Sequence, residues 1–220
     1  HDDVIDGASV RRGMPSLWKS FSPSGAILSG DILFCEAFRV LLDADCRCLL
    51  DSFLEKIQKV CIAEADQELM FRGSRLPLDA SIDIARRKTG PLFAFLGKVC
   101  GNSSGALADA LEETGYRIGT AYQLADDLMD ESGDGLAAGK TLGTDRLRNK
   151  FTLAHAGEFA HDITRDTILS LGESALALLR EWPAVQDRLR RYLHAVLFTS
   201  CQAVLQGSSS APLLNHWEAE

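Results

Sequence analysis

Residues 122–130 read Tyr122-Gln123-Leu124-Ala125-Asp126-Asp127-Leu128-Met129-Asp130, and the fold is decided by how this stretch is read. At its centre is a DDxxD box formed by Asp126, Asp127 and Asp130. The same box recurs at the start of the chain as Asp2, Asp3 and Asp6. Residues four apart on a helix share a face with Cβ atoms about 5–6 Å apart. Asp126 and Asp130 therefore point one way, and so do Asp2 and Asp6. Carboxylates clustered like this repel one another unless a cation sits among them, and two such helix ends facing each other make a pocket for several divalent ions. A single DDxxD is common on solvated helix ends. Two copies with identical spacing, each beside an apolar run, point to a site.

Upstream of the second box the pattern is helical. Gly115 and Gly119 are four apart and cost about 1 kcal/mol each relative to Ala, which implies close packing against another helix. Gly119, Gln123, Asp126 and Asp130 lie on one side. Ser103 or Ser104 caps this helix, which runs to about Glu131. The preceding helix is expected from an N-cap at Asp79 to about residue 99. Within it, Pro91 predicts a kink beside Lys88 and Thr89, aiming both inward. Further back, a helix from about residue 45 to Phe71 carries a stripe of Leu50, Phe53, Ile57 and Val60 that turns polar at Glu64 and Gln67 without a change of period. That pattern fits a core face opening onto a polar cavity. Ser22-Pro23 opens another helix, with Gly30, Leu33, Phe34, Ala37 and Leu41 on one face and Asp31 as a structural acid. Residues 1–8 read as the last turns of a helix, followed by an Arg11-Arg12-Gly13 loop.

Residues 133–150 form a long polar loop holding Lys140, Arg146, Arg148 and Lys150. Loops of this length are commonly functional. Helices over about 161–181 and 184–206 follow, with Leu169, Leu171, Ala175, Leu178 and Leu179 on the first and Leu189, Leu193, Val196, Leu197 and Cys201 on the second. No strand pattern is convincing. The reading is all-α: an antiparallel helical bundle around a deep central cavity, one domain over residues 1–206 with a tail at 207–220.

With 220 residues at 46% hydrophobic content, the chain can bury a sizeable core. A net charge of −8 argues against general nucleic-acid binding. Cys35, Cys46, Cys48, Cys61, Cys100 and Cys201 form no CxxC pair and sit among apolar residues, so they read as free buried thiols in a reducing cytoplasm. No apolar run approaches the roughly 18 residues that span a bilayer. The chain opens at His1, not Met, and a box at its second residue needs a helix to hold it, so further sequence is expected upstream.

Each acid box is followed by bases: Arg11 and Arg12 after the first, the 140–150 group after the second. Mg²⁺ takes one or two carboxylates, several waters and phosphate oxygens, and guanidinium forks match phosphate bidentately. Metal and bases together stabilise charge on a departing diphosphate. Apolar helical walls suit a hydrocarbon attached to it. The residue logic gives a Mg-dependent diphosphate enzyme.

HDDVIDGASVRRGMPS at 1–16, GAILSGDILF at 25–34, Glu64 with Gln67, KTGPLF at 88–93, YQLADDLMD at 122–130 and GKTLGTDRLRNKFTL at 139–153 together, in this order, resemble the trans-isoprenyl diphosphate synthases, or polyprenyl synthetases. The resemblance runs from residue 1 to about 153. It implies a homodimer of the isoprenoid synthase type. The implied reaction condenses an allylic diphosphate with isopentenyl diphosphate to give a longer all-trans polyprenyl diphosphate and pyrophosphate, using three Mg²⁺ per site. It makes Asp2, Asp6 and Asp126 the main metal ligands, supported by Asp3, Asp127 and Asp130. Arg11, Lys88, Thr89, Gln123 and Lys140 would hold the allylic diphosphate, Arg12 would contact isopentenyl diphosphate, and Lys150 would help close the site. A related terpene cyclase and a non-catalytic partner subunit of a hetero-oligomeric synthase are the competing readings. Two intact boxes argue against both.

Overall fold

The structure is a computed structural model that describes residues 1–43, 47–102, 105–132, 148, 150, 152–153 and 160–198. Its main elements are α1 (Asp2–Asp6), β1 (Val10–Arg11), β2 (Met14–Pro15), α2 (Leu17–Asp43), α3 (Arg47–Ala65), α4 (Leu78–Cys100), α5 (Ala106–Ser132), α6 (Ala160–Ala177) and α7 (Pro183–Tyr192). Wider π-helical turns extend α3 over Asp66–Met70 and α7 over Leu193–Phe198. The all-helical expectation holds, with one exception. Val10–Arg11 and Met14–Pro15 pair antiparallel across a two-residue turn, Val10 opposite Pro15. Arg12 (φ 52) and Gly13 (φ 74) both take positive φ, which is what a right-twisted hairpin with a two-residue loop demands. The pair is too short to leave an alternating pattern in the sequence.

The fold turns on a glycine seam between α4 and α5. A Cβ at Gly119 would lie 2.7 Å from the Gly90 Cα, and one at Gly97 or Gly115 would overlap the backbone of Leu111 or Phe93. Gly101 meets Ala108 in the same way. The contacts step down one helix as they step up the other, so the two run antiparallel in one fixed register. α4 continues through Pro91 as a single element. It begins at Leu78 with Pro77 before it, so Asp79 lies in the first turn and is not the N-cap. There its charge still favours the positive end of the helix.

α5 is the central rod. Ala121, Leu124, Ala125 and Leu128 recur at spacings of three and four, are buried, and form one cluster with Leu153, Ile168, Leu176 and Leu193. Full burial of each leucine contributes about 1.5–3 kcal/mol. α6 lies against α5, with Arg117 donating to the Ser174 carbonyl at 2.9 Å. Gln186 ties α7 back by donating to the Leu176 carbonyl at 2.8 Å.

The outer layer differs from the sequence expectation. α2 spans Leu17–Asp43 but breaks at Ser22 (φ 76, ψ 161) and restarts at Pro23, where the sequence places a helix start. Ser22 Oγ accepts from the Gly25 N–H at 3.4 Å. The stripes on α2 and α3 are only partly covered. Leu33 is exposed, and the buried members of α3 are Lys56 and Ala63. Cys35, Cys48, Cys61 and Cys100 are exposed, which corrects the buried-thiol reading. Their apolar neighbours Ile62 and Val99 are exposed too, so an apolar context here does not mean core. Cys46, Cys201, Ser103, Ser104 and the tail at 207–220 lie outside the described residues. Among the described residues no helix is long and apolar enough to cross a membrane.

Lys56 joins three helices. Its ammonium sits 2.5 Å from Glu112 and donates to Ser52 Oγ at 3.0 Å, while Lys98 reaches the other Glu112 oxygen at 2.9 Å. Removing one partner of a buried pair costs about 3–5 kcal/mol because the other charge is stranded. Burial works against the Glu112 charge, but hydrogen bonds and charge from Lys56 and Lys98 outweigh it and hold its carboxyl below the ordinary 4.5. A depressed carboxyl stabilises the fold above its unfolded value, and that contribution is lost as pH falls through the folded value. Thermal stability is therefore expected to fall as pH drops below about 4.5, and Glu112→Gln is expected to be less stable at pH 7 with a shallower acid slope. Parallel melting curves over pH 3–7 test this; unchanged slopes would remove Glu112 from the account.

Candidate functional site

The two boxes face one cavity of about 1420 Å³. α1 brings Asp2, Asp3 and Asp6 to one side, and α5 brings Gln123, Asp126, Asp127 and Asp130 to the other. Arg11 and Arg12 reach it from the hairpin, and Lys88 and Thr89 from α4. Phe34, Phe53 and Leu92 line its apolar part. Eleven of the metal- and diphosphate-binding residues expected from the sequence thus line one chamber. Lys150 touches it through Asp6. Lys140 and Arg146 lie outside the described residues.

The glycine seam sets the register of the α4–α5 side. With Gly90 against Gly119, Thr89 Oγ1 donates to Gln123 Oε1 at 2.5 Å, and Gln123 Nε2 donates to Asp127 Oδ1 at 2.8 Å. Lys88 lies 3.0 Å from Glu64 and donates to Gln67 Oε1 at 2.9 Å. Burial pulls its pKa down, but Glu64, Asp127 and Asp2 outweigh burial, and Lys88 stays charged. The polar end of the α3 stripe is therefore a cavity wall, as its unbroken period implied. The π-helical turn at Asp66–Met70, closed by the Phe71 N–H bonding the Asp66 carbonyl at 3.0 Å, widens α3 at this point. Such turns cluster at functional sites; nothing in the sequence signalled this one.

The first box is held by bases. Arg11 Nη1 donates to Asp3 Oδ1 at 2.9 Å. Burial lowers the Arg11 pKa, and Asp3, Asp2 and Asp126 more than reverse it. Asp2 is shifted the other way: burial first, then repulsion from Asp6 and Glu64, raises its carboxyl above the ordinary 3.8. That shift marks a carboxylate group which a cation would stabilise. The donors are all hard oxygens, the chemistry of Mg²⁺ and Ca²⁺. Among the described residues no three acidic, histidine or cysteine side chains close on one point.

Sequence reasoning missed Glu68. It lies four residues past Glu64, so counting along the helical face would have found it. Its carboxylate pairs with Arg148 at 2.8 Å and with Lys150 at 2.8 Å. Burial raises its pKa, and those two bases more than offset the rise. Arg87, flanking Lys88, pairs with Asp66 at 2.7 Å and Asp83 at 2.8 Å, fixing the wide turn to α4.

The profile of the Polyprenyl synthetase family matches residues 1–171. The geranylgeranyl diphosphate synthase of Mycobacterium tuberculosis (strain ATCC 25618 / H37Rv) is 34% identical over 160 residues, 70% of this chain and 46% of that protein. The farnesyl diphosphate synthase of Escherichia coli (strain K12) is 33% identical over 197 residues, 80% of this chain and 66% of that one. Among solved structures, a polyprenyl synthase from Caulobacter crescentus CB15, complexed with calcium and isoprenyl diphosphate, superposes with a TM-score of 0.79 at 25% identity, covering 94% of this chain and 74% of that one. Matches to the first three curated relatives span 46%, 56% and 64% of their lengths, so the chain spans about half to two thirds of them. Paired acid boxes on facing helices, the bases behind each of them, and these matches lead to one conclusion: the chain belongs to the polyprenyl synthetase family.

Proposed function

We propose that the whole protein is a magnesium-dependent prenyltransferase, joining an allylic diphosphate to isopentenyl diphosphate to give a longer all-trans polyprenyl diphosphate. The observation that carries this reading is that both acid boxes and Arg11, Arg12 and Lys88 line one cavity whose other wall is apolar. Divalent ions in the complexes of the Caulobacter crescentus protein, with calcium, and of a Helicobacter pylori geranyltransferase, with magnesium, support metal use.

In this reading Asp2, Asp6 and Asp126 would hold the metal ions, three per site, with Asp3, Asp127 and Asp130 supporting them. When bound, the metal would supply positive charge that stabilises a departing diphosphate. Arg11, Lys88, Thr89, Gln123 and Lys140 bind and orient that diphosphate. The C–O bond of the allylic substrate breaks and its electron pair departs with the diphosphate. The isopentenyl double bond then attacks the allylic carbon, and the proton lost from the resulting cation passes to the released diphosphate. Phe34, Phe53 and Leu92 exclude water from the cationic carbon. Arg12 contacts isopentenyl diphosphate and Lys150 helps close the site. A second copy of the chain is the proposed partner. Exposed Leu28, Ile32 and Val40 on α2 support it, since a run of apolar residues along one helix favours burial against another surface. The proposed location is the cytoplasm.

The test is an assay of the full-length protein with isopentenyl diphosphate and primers of increasing length, with Mg²⁺ or with chelator. Metal-dependent chain extension, read by mass, is expected. A cyclised hydrocarbon from one substrate, or diphosphate binding without turnover, would replace this reading with a cyclase or a partner subunit.

A further inference from the structure

Lys150 is the most enclosed cation near the first box. Its side chain is 1% exposed and lies between two carboxylates from different elements: Asp6 on α1 at 2.5 Å and Glu68 in the wide turn after α3 at 2.8 Å. Glu68 also holds Arg148 at 2.8 Å, and Arg72 fixes that residue's backbone by donating to the Arg148 carbonyl at 3.0 Å. The ammonium therefore has one partner inside the acid box and one outside it. An ammonium neutralises a carboxylate in the same position that a divalent ion would occupy, and the two compete for its lone pairs.

We propose that Lys150 is the resident counter-cation of Asp6, exchanged for a divalent ion, and that Glu68 is a positioning residue which receives the displaced ammonium. This deepens the proposed function and rests on the reading that the first box binds a divalent cation. Glu68 makes the exchange feasible. A lysine expelled from Asp6 with no second carboxylate would be a buried unpaired charge, which is strongly destabilising. With Glu68 alongside, Lys150 gives up one partner, keeps the other, and remains beside the chamber.

The idea assigns opposite signs to two substitutions. Lys150→Gln removes the competitor, so Mn²⁺ alone, titrated into the full-length protein without diphosphate, is expected to bind at least about fivefold more tightly, the lower end of typical coupling between ligands. Glu68→Gln leaves Asp6 as the only carboxylate partner of Lys150, so Mn²⁺ is expected to bind more weakly by a similar factor. In the double variant the effect of Glu68→Gln should disappear, because its route is through Lys150. Lys150→Arg, which keeps the charge, should restore competition. Paramagnetic resonance of free Mn²⁺ reads all four, and inorganic pyrophosphate added afterwards shows whether Lys150→Gln also weakens anion binding. A purely structural role would weaken Mn²⁺ binding in both single variants, and that result overturns the proposal, as does unchanged affinity in Lys150→Gln. Failure of the parent protein to bind Mn²⁺ overturns this proposal and the functional reading together. An unchanged variant beside a binding parent overturns the exchange alone.

Discussion

Asp126→Asn in the full-length protein is expected to lower prenyl transfer by about 10²–10³-fold, the cost typical of losing one preorganised charge-stabilising group. The substitution keeps shape and volume and removes one negative charge from the α5 wall of the cavity. Asp126 is close enough to Arg11 to help raise its pKa, so it acts across the chamber and not only along its own helix. The loss should appear in kcat at saturating Mg²⁺, with folding intact. Asp109→Asn, on an exposed turn of the same helix, should leave turnover unchanged. Wild-type turnover in Asp126→Asn would remove the second box from the mechanism.

Gly115→Val carries a large expected cost in stability. A Cβ at this position overlaps the Phe93 backbone, and two added methyl groups have no room. Overpacking costs about 1–3 kcal/mol and occasionally more, and here backbone atoms, not a flexible side chain, would have to move. Relief of the glycine helix penalty recovers under about 1 kcal/mol, so the clash wins. A fall in the denaturation midpoint equivalent to about 3 kcal/mol is expected. Since the same seam sets Thr89 against Gln123, whatever protein remains folded should also bind pyrophosphate more weakly. An unchanged midpoint would mean that the two helices are not in backbone contact at this point.

These two positions show what the sequence could reveal. Gly115 and Gly119 were legible because glycines spaced four apart in a helix have few explanations other than close packing. The acid boxes were legible because like charges at one spacing need a cation. Lys56 was not: a lysine amid a half-apolar face reads as solvated, and only the meeting of α3 with Glu112 and Lys98 makes it a buried pin. Periodicity shows which faces of α2 and α3 are apolar but says nothing about what covers them, so the exposure of Leu33, Cys35, Cys48 and Cys61 was not legible in it. Glu68 and Lys150 are 82 residues apart in sequence, and no local pattern links them.

The turn at Arg12 sets durability against chemistry. A non-glycine residue in the left-handed region costs about 1 kcal/mol, and glycine or asparagine would sit there without that cost. Directed evolution that screened only for heat resistance would discard this arginine early, and the resulting catalogue of improved proteins would be sturdier and blunter at the mouth of the chamber. Screens that score survival and turnover together should instead retain it, making position 12 a marker of which pressure a lineage has experienced.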